Sequence, residues 1–391
     1  MRVVMPYDER LASYDLGPQH PLKPERFTLA VELMERCGLI AGVPPLDVVG
    51  SRIHTIGLDG IERADLELVH EGRYIDAVMR ASADPEAFRP SHGIGPGDTP
   101  GFHGIHEASA LVCASTVTAL RRVVEGDARR AFAIAGGLHH AHHDRAAGFC
   151  VYNDPAVAIA VMLREHPGIR IAYVDIDAHH GDGVEEAFYA TDEVLTISVH
   201  ESGKYLFPGT GRVLDTGEGD GSGFAINVPL PPLADDVCFD LVMHDVVGPA
   251  LAAYAPDAIV AQCGADAHVA DPLTHLGMTL GGHRALVDRI IDAADSVCDG
   301  RIVCTGGGGY GTYSVVPRAW ANVGAALLGR ELPDSLPEAW REHAEELSGE
   351  TIPTQTRDDD HDLMPGINLA VRAETAVLTD RVAAASPLLS R

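Results

Sequence analysis

The chain has 391 residues, 46% apolar and 22% charged, which is ample material for a large buried core. Its 29 basic and 57 acidic residues leave a formal net charge of −28. Such a surface argues against direct binding of nucleic acid, and as a solubility feature it needs no special partner. Lys23 and Lys204 are the only lysines, so Schiff-base and lysine-nucleophile chemistry have almost no candidates.

In chain order, residues 2–6 read as a short strand, and the opening MRVVMPYDER lacks the apolar core of a signal peptide. The spacing of Phe27, Leu29, Ala30, Leu33, Met34 and Cys37 predicts a helix over 24–40. Residues 82–104, rich in Gly, Pro and His, read as a long loop, and long loops inside compact domains are often functional. A helix follows over 106–125. Apolar runs at 131–135, 170–176, 194–199, 258–263 and 301–305 then alternate with helical stretches at about 154–166, 236–254 and 281–298. That alternation predicts an α/β fold: one domain, a mostly parallel sheet with helices on both faces. Residues 201–232 read as irregular. Without a clear linker, residues 1–330 are taken as the domain carrying the chemistry. Residues 331–391 form a C-terminal extension, partly helical through PDSLPEAWREHAEEL. No apolar run approaches the ~18 residues of a membrane span. The seven cysteines are scattered without redox or zinc spacing, which suits buried thiols in a reducing cytoplasm.

Chemistry gathers at strand ends. One apolar run ends on His139, His140, His142 and His143, and a second on Asp175, Asp177, His179, His180 and Asp182. A third ends on Asp266, His268 and Asp271, and a fourth on a run of four glycines and Tyr310. Ligands bind at the carboxyl edge of open parallel sheets, and capping alone does not explain four polar clusters there. Asp177 and His179, at i and i+2, point the same way from a strand end, and Asp266 adds a third ligand. An Asp2His set leaves a metal open to water and a substrate carbonyl. The tandem His139-His140 suits a base and acid, with Asp175 and Asp182 available as orienting carboxylates. The glycines at 306, 308 and 311 also fit GxGxxG, a weak signal this late in a chain.

Together these residues resemble the histone deacetylase superfamily, in particular the bacterial acetoin-utilisation type with its arginase/deacetylase fold. The resemblance spans about residues 14–325. It rests on HPLKPER (20–26), GGLHHAHHDRAAGFCVYND (136–154), DIDAHHGDGVEEAF (175–188), FPGTG (207–211), GADAHVADPL (264–273) and GGGGY (306–310). It implies a zinc-dependent hydrolase that removes acyl groups from lysine side chains of proteins or peptides and releases acetate. Zinc or ferrous iron would be held by Asp177, His179 and Asp266. His139 would pair with Asp175 and His140 with Asp182, while Tyr310 would polarise the acyl carbonyl. Gly148, Phe149, Phe207 and Leu273 would line a narrow channel, and Asp98 would grip the substrate backbone. Arg26 matches an arginine at the acetate exit. A structural potassium would sit by Asp175, Asp177, His179 and Ser198.

Three departures bear on specificity: Leu138 stands where many members carry Trp, Leu273 where several carry Met, and His142-His143 where some relatives carry lysines. An acetylpolyamine or other small amide is the alternative substrate. An arginase-like two-metal site is disfavoured, because Gly181 and His268 stand where its further carboxylates would be. An inactive binding protein and a nucleotide-dependent oxidoreductase are the remaining rivals.

Overall fold

The computed structural model describes residues 2–43, 50–86, 90–358 and 365–389. Its spine is a sheet of β1 (Val3–Pro6), β2 (Ile53–Ile56), β3 (Arg130–Ala133), β4 (Ile171–Asp175), β5 (Val194–Glu201), β6 (Ala225–Leu230), β7 (Ala258–Gln262) and β8 (Ile302–Thr305). The eight strands lie in the order β2-β1-β3-β8-β7-β4-β5-β6, and every pairing between these strands is parallel. Strands β3, β4, β7 and β8 are buried along their whole length, as their unbroken apolar runs require.

The register places the chemistry. Ala133 pairs with Thr305, Thr305 with Gln262, and Gln262 with Asp175. The four strands bearing polar clusters are therefore consecutive in the sheet and end in one row.

The helices are α1 (Glu25–Arg36), α2 (Arg63–Leu66), α3 (Gly72–Ala83), α4 (Ile105–Val124), α5 (Asp154–Glu165), α6 (Asp182–Phe188), α7 (Asp236–Val242), α8 (Gly248–Tyr254), α9 (Leu280–Val297), α10 (Val316–Leu327), α11 (Glu338–Ser348) and α12 (Pro365–Ala385). Their starts follow local chemistry. Asn153 accepts from the Ala156 amide ahead of α5, with Pro155 in the first turn, and Thr279 accepts from the Gly282 amide ahead of α9. Helices α7 and α8 are joined through a π turn at Met243–Val247. The joined helix Asp236–Tyr254 is long and apolar enough to cross a membrane by length and composition, an exception to the expectation of no such run. Half of it is buried inside the protein.

Several expectations need correction. The segment 201–232 contains β6, and the loop expected from residue 82 begins after α3 ends at Ala83. Part of that loop, 87–89, lies outside the described residues. The extension is more helical than expected, because α12 follows α11. Both pack on the rest of the molecule. Trp340 of α11 is buried and its indole N–H donates to the Leu29 carbonyl at 2.9 Å, while Arg372 of α12 pairs with Asp235 at 2.6 Å. All seven cysteines are free and buried.

Candidate active site

The loops leaving β4 and β7 bring Asp177, His179 and Asp266 together, with one donor atom from each within 4.8 Å of the others. All three are buried. His179 Nδ1 lies 3.2 Å from Asp177 Oδ1 and 2.9 Å from Asp266 Oδ2. Two carboxylates this deep repel one another. Burial, then the Asp177 charge, pushes the Asp266 carboxyl up to about 8. The His179 imidazole rises to about 10, because the two carboxylates outweigh the burial that opposes its charge. The cluster thus demands positive charge at one point, and the proton on Nδ1 marks where a dication fits. An all-N/O set of one imidazole and two carboxylates suits zinc or ferrous iron and leaves coordination positions free.

Fixed dipoles hold the carboxylates. Asp177 Oδ2 accepts from the Gln262 amide and from the Gly308 amide, each at 2.6 Å, and Asp266 Oδ1 accepts from the Ala178 amide at 2.8 Å. The close approach explains the glycine run. A Cβ on Gly308 would sit 2.0 Å from Asp266 Oδ2, so this loop wraps a carboxylate pair rather than a phosphate. Arg26, from α1, locks it further by donating to the Gly307 and Gly309 carbonyls at 2.9 Å.

Beside the cluster stand two His–Asp pairs. His139 Nδ1 donates to Asp175 Oδ2 and His140 Nδ1 to Asp182 Oδ1, both at 2.7 Å. The two Nε2 atoms are 3.0 Å apart, within reach of sharing one proton. The pair is not symmetric. Burial works against charge on His139, but Asp175 and Asp177 overcome it and raise the imidazole to about 9. Burial, then the charge on His139, lowers His140 to about 4. Asp175 also accepts from the Tyr173 hydroxyl at 2.7 Å. His142 and His143 reach Glu186 with Nδ1 contacts of 2.7 and 3.2 Å, and His142 Nε2 also lies 3.4 Å from Asp182 Oδ2, behind the His140 dyad. Leu138 is buried and its amide donates to Asp154 at 2.8 Å.

Aromatic walls surround this centre. The Phe207 ring lies 5.0 Å from the His140 ring, and Tyr310 packs edge-on to Phe149 at 5.7 Å and to His179 at 6.4 Å. Burial, then the Asp266 charge, raises the Tyr310 phenol well above its ordinary value, so it stays a proton donor. Phe149 has a φ of 68°, costly for a side-chain-bearing residue, and the Tyr14 hydroxyl donates to its carbonyl at 2.7 Å. A Cβ on Gly148 would fall 2.3 Å from the His140 ring, so only glycine fits there. Asp98 is exposed at the mouth. Its carbonyl is 3.1 Å from His20 Nε2, and it lines a cavity of about 690 Å³ with Phe149. Leu273 is 37% exposed, so it sits on the surface rather than deep in the slot. Ser198 pairs with Asp175 across β4–β5 and its hydroxyl is 3.4 Å from the Gly181 amide.

The sequence reading omitted Gln262, Asp154 and Tyr173. Gln262 was findable as the one polar residue in AIVAQ, whereas Asp154 looks like an ordinary first-turn acid at the start of α5.

The histone deacetylase domain model matches residues 20–327. The chain therefore belongs to the histone deacetylase family. Within it, the chain is of the AcuC type: it is 38% identical over 336 residues to the acetoin utilization protein AcuC of Bacillus subtilis (strain 168), covering 85% of this chain and 84% of that one. It is 35% identical to AcuC of Staphylococcus xylosus, covering 90% of each. The crystal structure of an HDAC homolog from Aquifex aeolicus superposes with a TM-score of 0.80 at 29% identity, over 96% of this chain and 99% of that one.

Proposed function

We propose that this protein hydrolyses the amide of acetylated or acylated lysine side chains in proteins or peptides, releasing acetate and a free amine. The observation that carries the reading is the pair of His–Asp dyads, joined at 3.0 Å, beside a buried Asp2His set. A zinc or ferrous ion bound by Asp177, His179 and Asp266 would act as Lewis acid toward water and the acyl carbonyl. His140, neutral and oriented by Asp182, takes the proton from the attacking water. Tyr310 donates to the oxygen that becomes the oxyanion. The proton shared between His139 and His140 is then delivered to the leaving amine. Phe149 and Phe207 flank the methylene stem, and Asp98 is placed to accept from a peptide amide. The potassium beside Asp175, Asp177, His179 and Ser198 belongs to the same reading, as does action in the cytoplasm.

The histidine shifts predict a pH profile. With His140 lowered and His139 raised, one proton is held on the pair across the neutral range; a dication on Asp177 would draw the alkaline limit down, since the Asp177 charge helps to raise His139. kcat/KM is expected to be flat from about pH 6 to 8, falling on the acid side as His140 gains a proton and on the alkaline side as His139 loses its own. A single inflection near pH 6.5 that persists in His140→Ala would exclude the pair as the titrating unit.

Acetylpolyamines are the second reading, because a cavity of about 590 Å³ beyond Phe207 is lined by Glu185, Glu186 and Glu218. Two of these acids are engaged already, Glu186 with His142 and His143 and Glu185 with His180 and Asn227, and the third, Glu218, is exposed, where water screens its charge. A distal ammonium near a dry channel needs a free anion. Acetyl-lysine peptides are therefore expected to exceed acetylpolyamines in kcat/KM by at least about tenfold, ~1.4 kcal/mol of transition-state binding. Asp98→Ala should hurt the peptide more than a small acetamide. The test is a panel of both substrate classes with Zn²⁺ and with Fe²⁺; equal turnover of acetylspermidine would reassign the substrate and leave the chemistry standing.

A further inference from the structure

Asp358 belongs to the C-terminal extension, beyond the stretch that the family model matches. Its carboxylate nonetheless reaches the catalytic loops. Oδ2 accepts from His268 Nε2 at 2.6 Å and from the Leu280 amide at 3.1 Å, where α9 starts. Oδ1 accepts from Arg318 of α10 at 3.0 Å. The His268 and Arg318 side chains are only 7% and 3% exposed, so neither has water as a substitute partner.

His268 is a relay rather than an end point. Its Nδ1 accepts from the Ala270 amide at 3.1 Å, which leaves the proton on Nε2 to be donated to Asp358. Its carbonyl accepts from the Asp271 amide at 2.8 Å. Asp271 Oδ2 in turn accepts from the Tyr310 amide at 2.7 Å. An unbroken chain of hydrogen bonds thus runs from the extension to the backbone of Tyr310.

We propose that Asp358 is a positioning residue for the reaction: it fixes the loop His268–Asp271 and, through Asp271, the placement of Tyr310. The kinetic part of this inference rests on the deacetylase reading; the structural part does not. In Asp358→Asn one oxygen remains for three donors, and the new NH2 must face either His268 or Arg318, themselves donors; the loop is then free to shift, and the Tyr310 hydroxyl loses its aim. Displacements of about 1 Å at such a group can cost on the order of a hundredfold in rate.

The test compares wild type, Asp358→Asn, and Arg372→Ala as a control that loosens the extension at a different anchor. Amide hydrogen exchange needs no turnover. In Asp358→Asn it should quicken at least about tenfold at Ala270, Asp271 and Tyr310, and stay unchanged there in Arg372→Ala. On an acetyl-lysine peptide, Asp358→Asn should lower kcat about ten- to a hundredfold with KM within twofold. In a Tyr310→Phe background the same change should cost less than about threefold, since both act on one donor. Unchanged exchange at those amides, equal exchange effects from Arg372→Ala, or fully multiplicative losses with Tyr310→Phe would each overturn the proposal. Should Asp358→Asn fail to fold, Asp358→Glu, which keeps the charge but moves it by a methylene, is read out in the same ways.

Discussion

Asp266→Ala, and equally Asp177→Ala, is expected to abolish metal retention and turnover together. In the proposed reading the three residues carry the whole attachment of the ion, because the remaining contacts to them come from backbone amides and the Gln262 side chain. Structural zinc sites bind with roughly 10–16 kcal/mol spread over four ligands, so one ligand contributes roughly 3–4 kcal/mol. Its loss weakens binding by about 10²–10³-fold. Cobalt titration followed by its visible spectrum, with elemental analysis of the purified protein, measures this without relying on activity. Both variants should also lose the mutual repulsion that burdens the empty site, so apo protein is expected to stay folded. Retention of a stoichiometric, tightly held ion by either variant would move the metal site elsewhere. Two tightly bound transition ions per wild-type chain would contradict the single-metal reading, in which Gly181 and His268 supply no further carboxylate.

Tyr310→Phe is the second large effect. The substitution keeps the ring that packs against Phe149 and His179 and removes only the hydroxyl. Stability should change little. kcat should fall by ~10²–10³, as when one oxyanion donor is removed, with KM nearly constant. Because burial and nearby carboxylates hold the phenol protonated, the loss should be the same across the neutral pH range. Near-normal kcat in this variant would take Tyr310 out of the mechanism.

The site was more legible in the sequence than the fold around it. Strand ends facing one edge are a property of parallel sheets, so His139, Asp177, Asp266 and Tyr310 could be grouped from four local patterns. What the reading passed over has physical reasons. β2 has four residues, and β6 carries Pro229 on an edge where the ladder needs no proline N–H, so neither shows a clean strand signature. α10 is buried on every side, although its apolar residues keep a helical spacing. α12 buries Asn368, Thr375 and Thr379 beside Val371, Leu378 and Val382, so polar residues interrupt its apolar stripe. Asp358 opens an acidic run in a polar stretch, and only the folded chain shows that its carboxylate turns inward.

The shared row in which β3, β8, β7 and β4 end decides which insertions and deletions this chain can tolerate. One residue added inside β4 would carry Asp175 and everything after it about 3.3 Å along the strand and turn alternate side chains to the opposite face. Asp175 would leave His139, and Asp177 would leave Gln262 and Gly308. Only the connections beyond the polar clusters can lengthen or shorten without disturbing that alignment. Length variation among relatives should therefore fall in the connections, with the spacing between each of these four strands and its polar cluster held constant.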